Sequence, residues 1–138
     1  MEKNEKGFSP QEDVDVFMVA AQQPLRYTIP EDPTVMFDEP HAKLYMDLIE
    51  EEFNETKEAF KNKDVVEVAD GIADMVWVIM GLSSTLGIDF YKVWNAVWDS
   101  NMSKVQNGVL LKNPDTGKVM KPDTYFPPKI REALGLGK

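Results

Sequence analysis

The sequence contains no cysteine and a single histidine, His41. Without cysteine the chain forms neither a disulfide nor a thiolate metal site, which agrees with a reducing cytoplasm, where we expect the protein. With one histidine it also lacks the Glu-x-x-His pairs that carboxylate-bridged di-iron bundles require. Any metal site in this protein must therefore be built mainly from oxygen ligands.

Basic side chains are also few, because 15 Lys and Arg stand against 24 Asp and Glu, a net charge of −9. This charge argues against a nucleic-acid surface. It is compatible with a phosphorylated small substrate, since metal ions held by acidic residues can supply positive charge. The chain has no charge-free run of membrane-spanning length, and its opening residues, MEKNEKGFSP, lack the pattern of a signal peptide. We therefore expect no membrane partner.

The length predicts one domain, residues 1–138, with a flexible segment at residues 1–8. Apolar periodicity and capping residues predict four helices, at about residues 10–23, 40–61, 64–86 and 90–104. The short turn KNKD makes the second and third helices an antiparallel hairpin. The predicted fold is thus all-α, a helical bundle built on this hairpin.

The C-terminal part has a different pattern. After Gly108 the stretch VLLK-NPDTG-KVMK alternates around a turn, which predicts a small β-hairpin or an extended flap within residues 106–128. Three lysines of this flap, at positions 112, 118 and 121, are compatible with a solubilising loop or with a lid that approaches phosphates. The sequence does not separate the two.

The second helix carries acidic residues on its apolar side. On a helical wheel at about 100° per residue, Glu52 and Glu55 fall inside the apolar arc and Glu51 falls on its border. The remaining acids of this helix lie on the opposite, polar side. We therefore expect Glu52 and Glu55 to lie apart from the ordinary solvated surface.

The third helix, VVEVADGIADMVWVIMGLSSTL, is apolar nearly all round and is typical of a buried helix. Its charges after the Asp64 cap are Glu67, Asp70 and Asp74, which fall within an arc of roughly 60°. Burying an unpaired carboxylate costs several kcal/mol. The acids of two adjacent helices cannot pair with one another, so they require cations, and all-oxygen ligands favour Mg²⁺ or Mn²⁺.

Simpler roles exist for each of these acids. Glu67 follows Asp64 by three residues, so the two could form a capping box. Asp70 and Asp74 could form salt bridges to Lys or Arg. A shared metal site accounts for all of the acids at once, and we prefer it.

The fourth helix carries three candidate substrate contacts. Asn101 lies within its apolar stripe and Lys104 at the edge. An Asn in such a stripe needs a partner, either a backbone carbonyl or a ligand. Trp98, like Trp94, is a candidate for the core or for stacking on a base.

Several motifs occur together in a fixed order. They are EExxE at 51–55, ExxD at 67–70, ADGIAD at 69–74, SNMSK at 100–104, GKVMK at 117–121 and YFPP at 125–128. The set resembles the all-α nucleoside triphosphate pyrophosphohydrolase superfamily, which includes MazG, the dimeric dUTPases and phosphoribosyl-ATP pyrophosphohydrolase. The resemblance covers about residues 12–130, and it is closest to the MazG-like, phosphoribosyl-ATP-pyrophosphohydrolase-like branch, some members of which prefer dUTP.

The resemblance implies hydrolysis of a nucleoside triphosphate between its α and β phosphates, with Mg²⁺ as cofactor. It implies that Glu51 orients or deprotonates the attacking water, and that Asn101 and Lys104 meet the phosphates or the sugar. The metal ligands it implies are Glu52, Glu55, Glu67 and Asp70, with Asp74 in the metal shell. The chain departs from the branch in its first helix, where related sequences often carry a His and a Phe-Gly, so the resemblance does not define the base preference.

Two alternatives remain open beside a triphosphate hydrolase. One is a phosphoribosyl-ATP pyrophosphohydrolase, and the other is a non-catalytic helical module that binds Mg-nucleotide. In each case the apolar stripes exceed what one hairpin can cover, so we expect a homodimer or a dimer of dimers.

Overall fold

The computed structural model describes residues 7–137, which form two compact units that meet in sequence between Ile88 and Asp89. The first unit holds α1 (Pro10–Ala20), a 3₁₀-helix (Pro33–Asp38), α2 (Pro40–Lys61) and α3 (Val65–Thr85). The second holds α4 (Phe90–Met102), strands β1 (Val105–Gln106) and β2 (Val109–Leu110), and α5 (Ile130–Ala133). The all-α prediction is confirmed, since the one sheet is a small antiparallel pair. Most of the segment expected to be flexible, residues 1–6, lies outside the described residues.

The hairpin of α2 and α3 is set by the residues at its turn. Lys63 adopts a left-handed backbone conformation, with φ of 56°, just after α2 ends. Asp64 then caps α3, because its Oδ1 accepts a hydrogen bond from the backbone N–H of Glu67 at 3.1 Å. The predicted antiparallel hairpin and its cap are confirmed.

Two glycines of α3 allow its axis to approach α2 closely. A Cβ atom at Gly81 would lie 2.1 Å from the ring of Tyr45, and one at Gly71 would lie 2.2 Å from Oγ1 of Thr56. Neither distance is compatible with a larger side chain in the present packing. The core of this unit consists of buried apolar side chains, chiefly Val14, Met18, Met36, Ala42, Tyr45, Val78 and Met80.

Helix α1 is attached to the C-terminal end of α3 by a polar network. The side-chain amide of Gln11 donates to the carbonyl of Ile88 at 2.7 Å and to the hydroxyls of Ser84 and Ser83 at 3.2 and 3.3 Å. The hydroxyl of Ser84 in turn donates to the carboxylate of Asp15. Because Ser83 and Ser84 are buried, these bonds provide the partners that their hydroxyls need.

The first helix ends earlier than predicted, at Ala20 rather than near Gln23. The cause is Gln22, whose φ of 57° takes the backbone out of the helical region before Pro24 is reached.

In the second unit, Asp89 caps α4 by accepting a hydrogen bond from the backbone N–H of Lys92. Asn107 and Gly108 both have positive φ, 52° and 78°, and they connect β1 to β2 in a two-residue turn. The prediction placed the hairpin later, around NPDTG. There Lys112 and Val119 form an antiparallel bridge, and the backbone N–H groups of Asn113 and Met120 donate to the carbonyls of Lys118 and Leu111, each at 2.8 Å. The predicted small hairpin or flap is therefore confirmed, and the β1–β2 turn is an additional one that the prediction did not include.

The third helix is less covered than the sequence predicted. Several of its apolar side chains are exposed by more than a third within the single chain, namely Val65, Val66, Ile72, Val76, Trp77 and Ile79. The prediction of a fully buried helix is therefore wrong for the single chain, because α1 and α2 cover only part of its circumference. No helix within residues 7–137 combines the length and the apolar character that crossing a lipid bilayer demands.

Candidate metal and substrate site

The hairpin brings the two acidic motifs to the same place. Thr56, the residue after Glu55, packs against Gly71, the residue after Asp70. Thr56 also donates its hydroxyl to the backbone carbonyl of Glu52 at 2.7 Å, so this hydroxyl is not a donor to the acidic side chains of that turn. The close approach at Gly71 therefore places the acid-bearing turns of α2 and α3 opposite each other.

Glu52 is the centre of this acidic cluster. Its side chain is half-buried, and its Oε2 atom is buried without a hydrogen-bond partner. Burial raises the pKa of Glu52 above the usual glutamate value, and the negative charges of Glu55, Asp74 and Glu51 raise it further. A buried carboxylate oxygen without a donor is costly unless another group, such as a cation, satisfies it.

The six acids differ in burial. Glu52 and Asp74 are half-buried, as expected from their place among apolar residues. Glu55 was expected in the apolar arc of α2 but is exposed, because no third element of this unit covers that part of the arc. Glu51, Glu67 and Asp70 are also exposed, and of these three Glu51 contributes to the raised pKa of Glu52.

The simpler roles for the acids of α3 do not occur in this structure. A capping box would use the Glu67 side chain on the backbone N–H of Asp64, but that N–H donates to the carbonyl of Ala59 at 3.1 Å. Asp70 and Asp74 take part in no ion pair, since the ion pair seen within residues 7–137 joins Arg26 to Glu39. The acids of α3 are thus free to bind a ligand.

Within residues 7–137 no three acidic or histidine side chains converge as a finished metal site. Burial raises the pKa of Glu52 most, and the like charges of Glu55 and Asp74 add to it. The donor set nevertheless fits a hard cation. It consists entirely of carboxylate oxygens on two rigid helices, and one of those oxygens is buried and unsatisfied.

Two of the predicted substrate residues, Trp98 and Asn101, lie on the last turns of α4, and Lys104 follows that helix in the second unit. Asn101 is exposed, and its Oδ1 accepts a hydrogen bond from Nζ of Lys104 at 3.1 Å, so its partner is a neighbouring side chain rather than a backbone carbonyl. Trp98 and Trp94 are each 56 % exposed, so neither ring is part of the core of this unit. Their exposed rings can stack on another planar group.

The single histidine, His41, lies partly inside the first unit rather than on its surface. The ring is half-buried and lies edge-on to Tyr45 at 5.3 Å between centroids, and its Nε2 is buried without a partner. The i, i+4 spacing of these two residues on α2 was the available signal for this contact.

An all-α chain with both acidic motifs on one helical hairpin has the arrangement of the MazG-like all-α nucleoside triphosphate pyrophosphohydrolase superfamily. The family model for phosphoribosyl-ATP pyrophosphohydrolase matches residues 20–101, more than half of the chain. The chain belongs to this family, and membership implies a pyrophosphohydrolase activity. The match includes the six acids, Trp98 and Asn101, and it ends before Lys104. Comparison with curated proteins gave no match.

Proposed function

We propose that the protein is a Mg²⁺-dependent nucleoside triphosphate pyrophosphohydrolase of the cytoplasm. It converts a nucleoside or deoxynucleoside triphosphate and water into the monophosphate and pyrophosphate, and dUTP is one candidate substrate. The observation that carries this proposal is the unpartnered, buried Oε2 of Glu52, whose pKa is raised by burial and then by the neighbouring carboxylates.

The residues that would hold the ion are on facing turns of α2 and α3. Glu52 contributes the half-buried oxygen, and the other proposed ligands are Glu55, Glu67, Asp70 and Asp74. Mn²⁺ would suit the same oxygen donors. When bound, such an ion neutralises phosphate charge and lowers the pKa of a coordinated water.

Glu51 is the proposed base. Its carboxylate is exposed at the border of the cluster and forms no ion pair within residues 7–137, so it can accept a proton from a water molecule at one of its oxygens. Asn101 and Lys104 would donate hydrogen bonds to phosphate or sugar oxygens, and Trp98 would stack on the base.

A second candidate substrate is phosphoribosyl-ATP, which the name of the matching family favours. The two substrates share the bond that is cleaved and differ in the group attached to the base. A third reading, a module that binds Mg-nucleotide without turnover, agrees with the same acidic cluster.

One assay distinguishes these three possible functions. Purified protein is incubated with Mg²⁺ and either a single nucleoside triphosphate, taken in turn from a full panel, or phosphoribosyl-ATP, and pyrophosphate release is measured. Release from one or more triphosphates supports the first proposal, and release from phosphoribosyl-ATP alone supports the second. Nucleotide binding without any release would overturn both and favour the non-catalytic module.

Variants connect the assay to the proposed site. Glu52→Ala and Asp70→Ala should abolish the metal-dependent activity. Glu58→Ala serves as a matched control, because Glu58 is an exposed acid of the same helix outside the cluster. Equal activity of all three variants would place the reaction elsewhere.

We also propose that two copies of the chain, or two such dimers, associate through the exposed apolar side chains of the hairpin. Phe53 and Phe60 on α2 and Ile72 on α3 are each exposed by half or more in the single chain. Exposed apolar area of this kind is typical of a surface that a partner covers. A monomeric mass by light scattering at micromolar concentration would contradict this.

A further inference from the structure

The charge of this chain is unevenly distributed along its length. Residues 1–88 contain seven Lys and Arg against 19 Asp and Glu, a net charge of −12. Residues 89–138 contain eight against five, a net charge of +3. The second unit is therefore the part of this acidic protein that is suited to attract anions.

Two of its lysines lie over the same aromatic ring. Nζ of Lys121 is 4.8 Å from the ring centroid of Tyr125, and Nζ of Lys104 is 5.7 Å from it. They come from different elements, since Lys104 follows α4 and Lys121 follows the bridge between Lys112 and Val119. Two like charges at one ring repel each other, and an anion between or beside them relieves that repulsion.

The ring is held in place by the segment that carries it. Thr124 donates its hydroxyl to the carbonyl of Ser103 at 2.8 Å, and the backbone N–H of Phe126 donates to the hydroxyl of Ser103 at 3.0 Å. The buried Ser100 donates to the carbonyl of Phe126 at 2.8 Å. Tyr125, between these anchors, is half-buried, so the lysines meet a fixed surface rather than a loose tail.

The two lysines near the ring of Tyr125 are not paired with acidic side chains. Neither lysine forms an ion pair within the described residues, and neither does Asp123, the acid of the same segment. Lys104 donates to Oδ1 of Asn101, and this bond orients the Asn101 amide so that its nitrogen is available as a further donor.

We propose that Lys104, Lys121 and the amide of Asn101, arranged around Tyr125, form an oligophosphate-binding site in which Lys121 and Tyr125 are binding determinants. The choice of phosphate as the anion rests on the proposed function, whereas the site itself rests on the geometry of the second unit. Ammonium and amide donors form strong charge-assisted hydrogen bonds with phosphate oxygens. The ring restricts the lysine side chains, so less freedom is lost when the anion binds.

Inorganic pyrophosphate is the probe, and its binding to the full chain without divalent ions is measured by calorimetry. We expect binding that weakens as salt is added, because exposed charges are screened. Lys121→Gln should weaken it by about tenfold, the loss of one charge-assisted bond. Lys92→Gln, which removes an exposed lysine from α4 in the same unit, should stay within about twofold of the unmodified chain.

Tyr125 variants test the ring separately from the charges. Tyr125→Phe retains the aromatic face and should bind pyrophosphate like the unmodified chain, whereas Tyr125→Leu should weaken binding. No detectable pyrophosphate binding, or equal binding by Lys121→Gln, Lys92→Gln and the unmodified chain, would overturn the site.

The outcome is distinguishable from that of the proposed function. Turnover of a triphosphate without pyrophosphate binding would retain the hydrolase and remove this site. Pyrophosphate binding that depends on Lys121, without turnover of any substrate, would retain the site and remove the hydrolase. If both hold, Lys121→Gln should raise KM with kcat nearly unchanged, the signature of a residue that binds substrate and transition state equally.

Discussion

Gly71 on α3 lies so close to Thr56 on α2 that a Cβ at position 71 would sit 2.2 Å from Oγ1 and 3.1 Å from Cβ of Thr56. This contact fixes how near the acid-bearing turns of the two helices come. It explains why a glycine, which weakens a helix interior by about 1 kcal/mol relative to alanine, occurs between Asp70 and the apolar end of α3.

The first prediction follows from that contact. Gly71→Ala should destabilise the fold by up to about 2 kcal/mol, because an overpacking cost of up to about 3 kcal/mol exceeds the gain in helix propensity of about 1 kcal/mol. Chemical denaturation measures the free energy of unfolding. Adding Thr56→Ala removes Oγ1 and Cγ2 and should recover most of the loss, whereas a stable Gly71→Ala protein would show that the helices separate easily.

The second prediction concerns the charge on Glu52. Its folded-state pKa is raised by burial and by nearby acids, so the folded state binds its proton more tightly than the unfolded state does. This favourable contribution is fully present below the unfolded pKa and is lost as the pH rises through the folded pKa. Without divalent ions, Glu52→Gln should therefore raise Tm at pH 7, and the difference should vanish below about pH 4.

Divalent ions should stabilise the unmodified protein more than the Glu52→Gln variant. Added Mg²⁺ is expected to raise the Tm of the unmodified protein and to raise that of Glu52→Gln by less, because a proposed ligand is missing. Glu58→Gln, on the exposed side of the same helix, is the control and should retain the full response. A response equal in all three proteins would exclude Glu52 as a ligand.

Some of these features could be predicted from the sequence, and others could not. Periodicity and the Asp64 cap were enough to predict the hairpin, because both depend on local spacing. The exposure of Glu55 and the half-burial of His41 depend on which third element covers a helix face, which a helical wheel does not contain. The turn at NPDTG was predicted from its Pro, Asp and Gly residues, and the Lys112–Val119 bridge confirms it. The β1–β2 turn was not predicted, although Asn107-Gly108 is a strong hairpin signal.

The pairing of Lys104 and Lys121 at Tyr125 could not be predicted from the sequence, for another reason. The two lysines are separated along the chain by the whole β-hairpin region. The hydrogen bond from the backbone N–H of Phe126 to the hydroxyl of Ser103 helps to bring their segments together. The periodicity of apolar residues along the chain contains no information about such contacts.

The third prediction concerns the ion pair between Arg26 and Glu39. The hydrogen bond and the charge of Arg26 hold the pKa of Glu39 below the usual glutamate value. A lowered pKa contributes stability above the unfolded pKa, and this stability is lost as the pH falls through the folded pKa. Glu39→Gln should therefore lower Tm at pH 7, and the difference from the unmodified protein should shrink at pH values below about 4.

A second substitution, at Arg26, tests whether this residue also links two helices. Arg26 also donates to the carbonyl of Thr85 at 3.0 Å, so it connects the start of α2 to the end of α3. Arg26→Met removes both bonds and should lower Tm more than Glu39→Gln does. If the two variants are equally stable, the bond to Thr85 contributes nothing measurable.

The last prediction tests the proposed base. Glu51→Gln should lower kcat by roughly 10²–10⁴-fold, the usual contribution of a positioned base, with nucleotide affinity little changed. Steady-state assays at saturating Mg²⁺ measure this, and Glu50→Gln, an exposed neighbour on the polar side of α2, should retain activity. If excess Mg²⁺ restores kcat in Glu51→Gln, the residue holds an ion rather than a proton, since a lost ligand weakens metal binding and a lost base does not. An unchanged kcat at every Mg²⁺ concentration would move the base to another residue of the cluster.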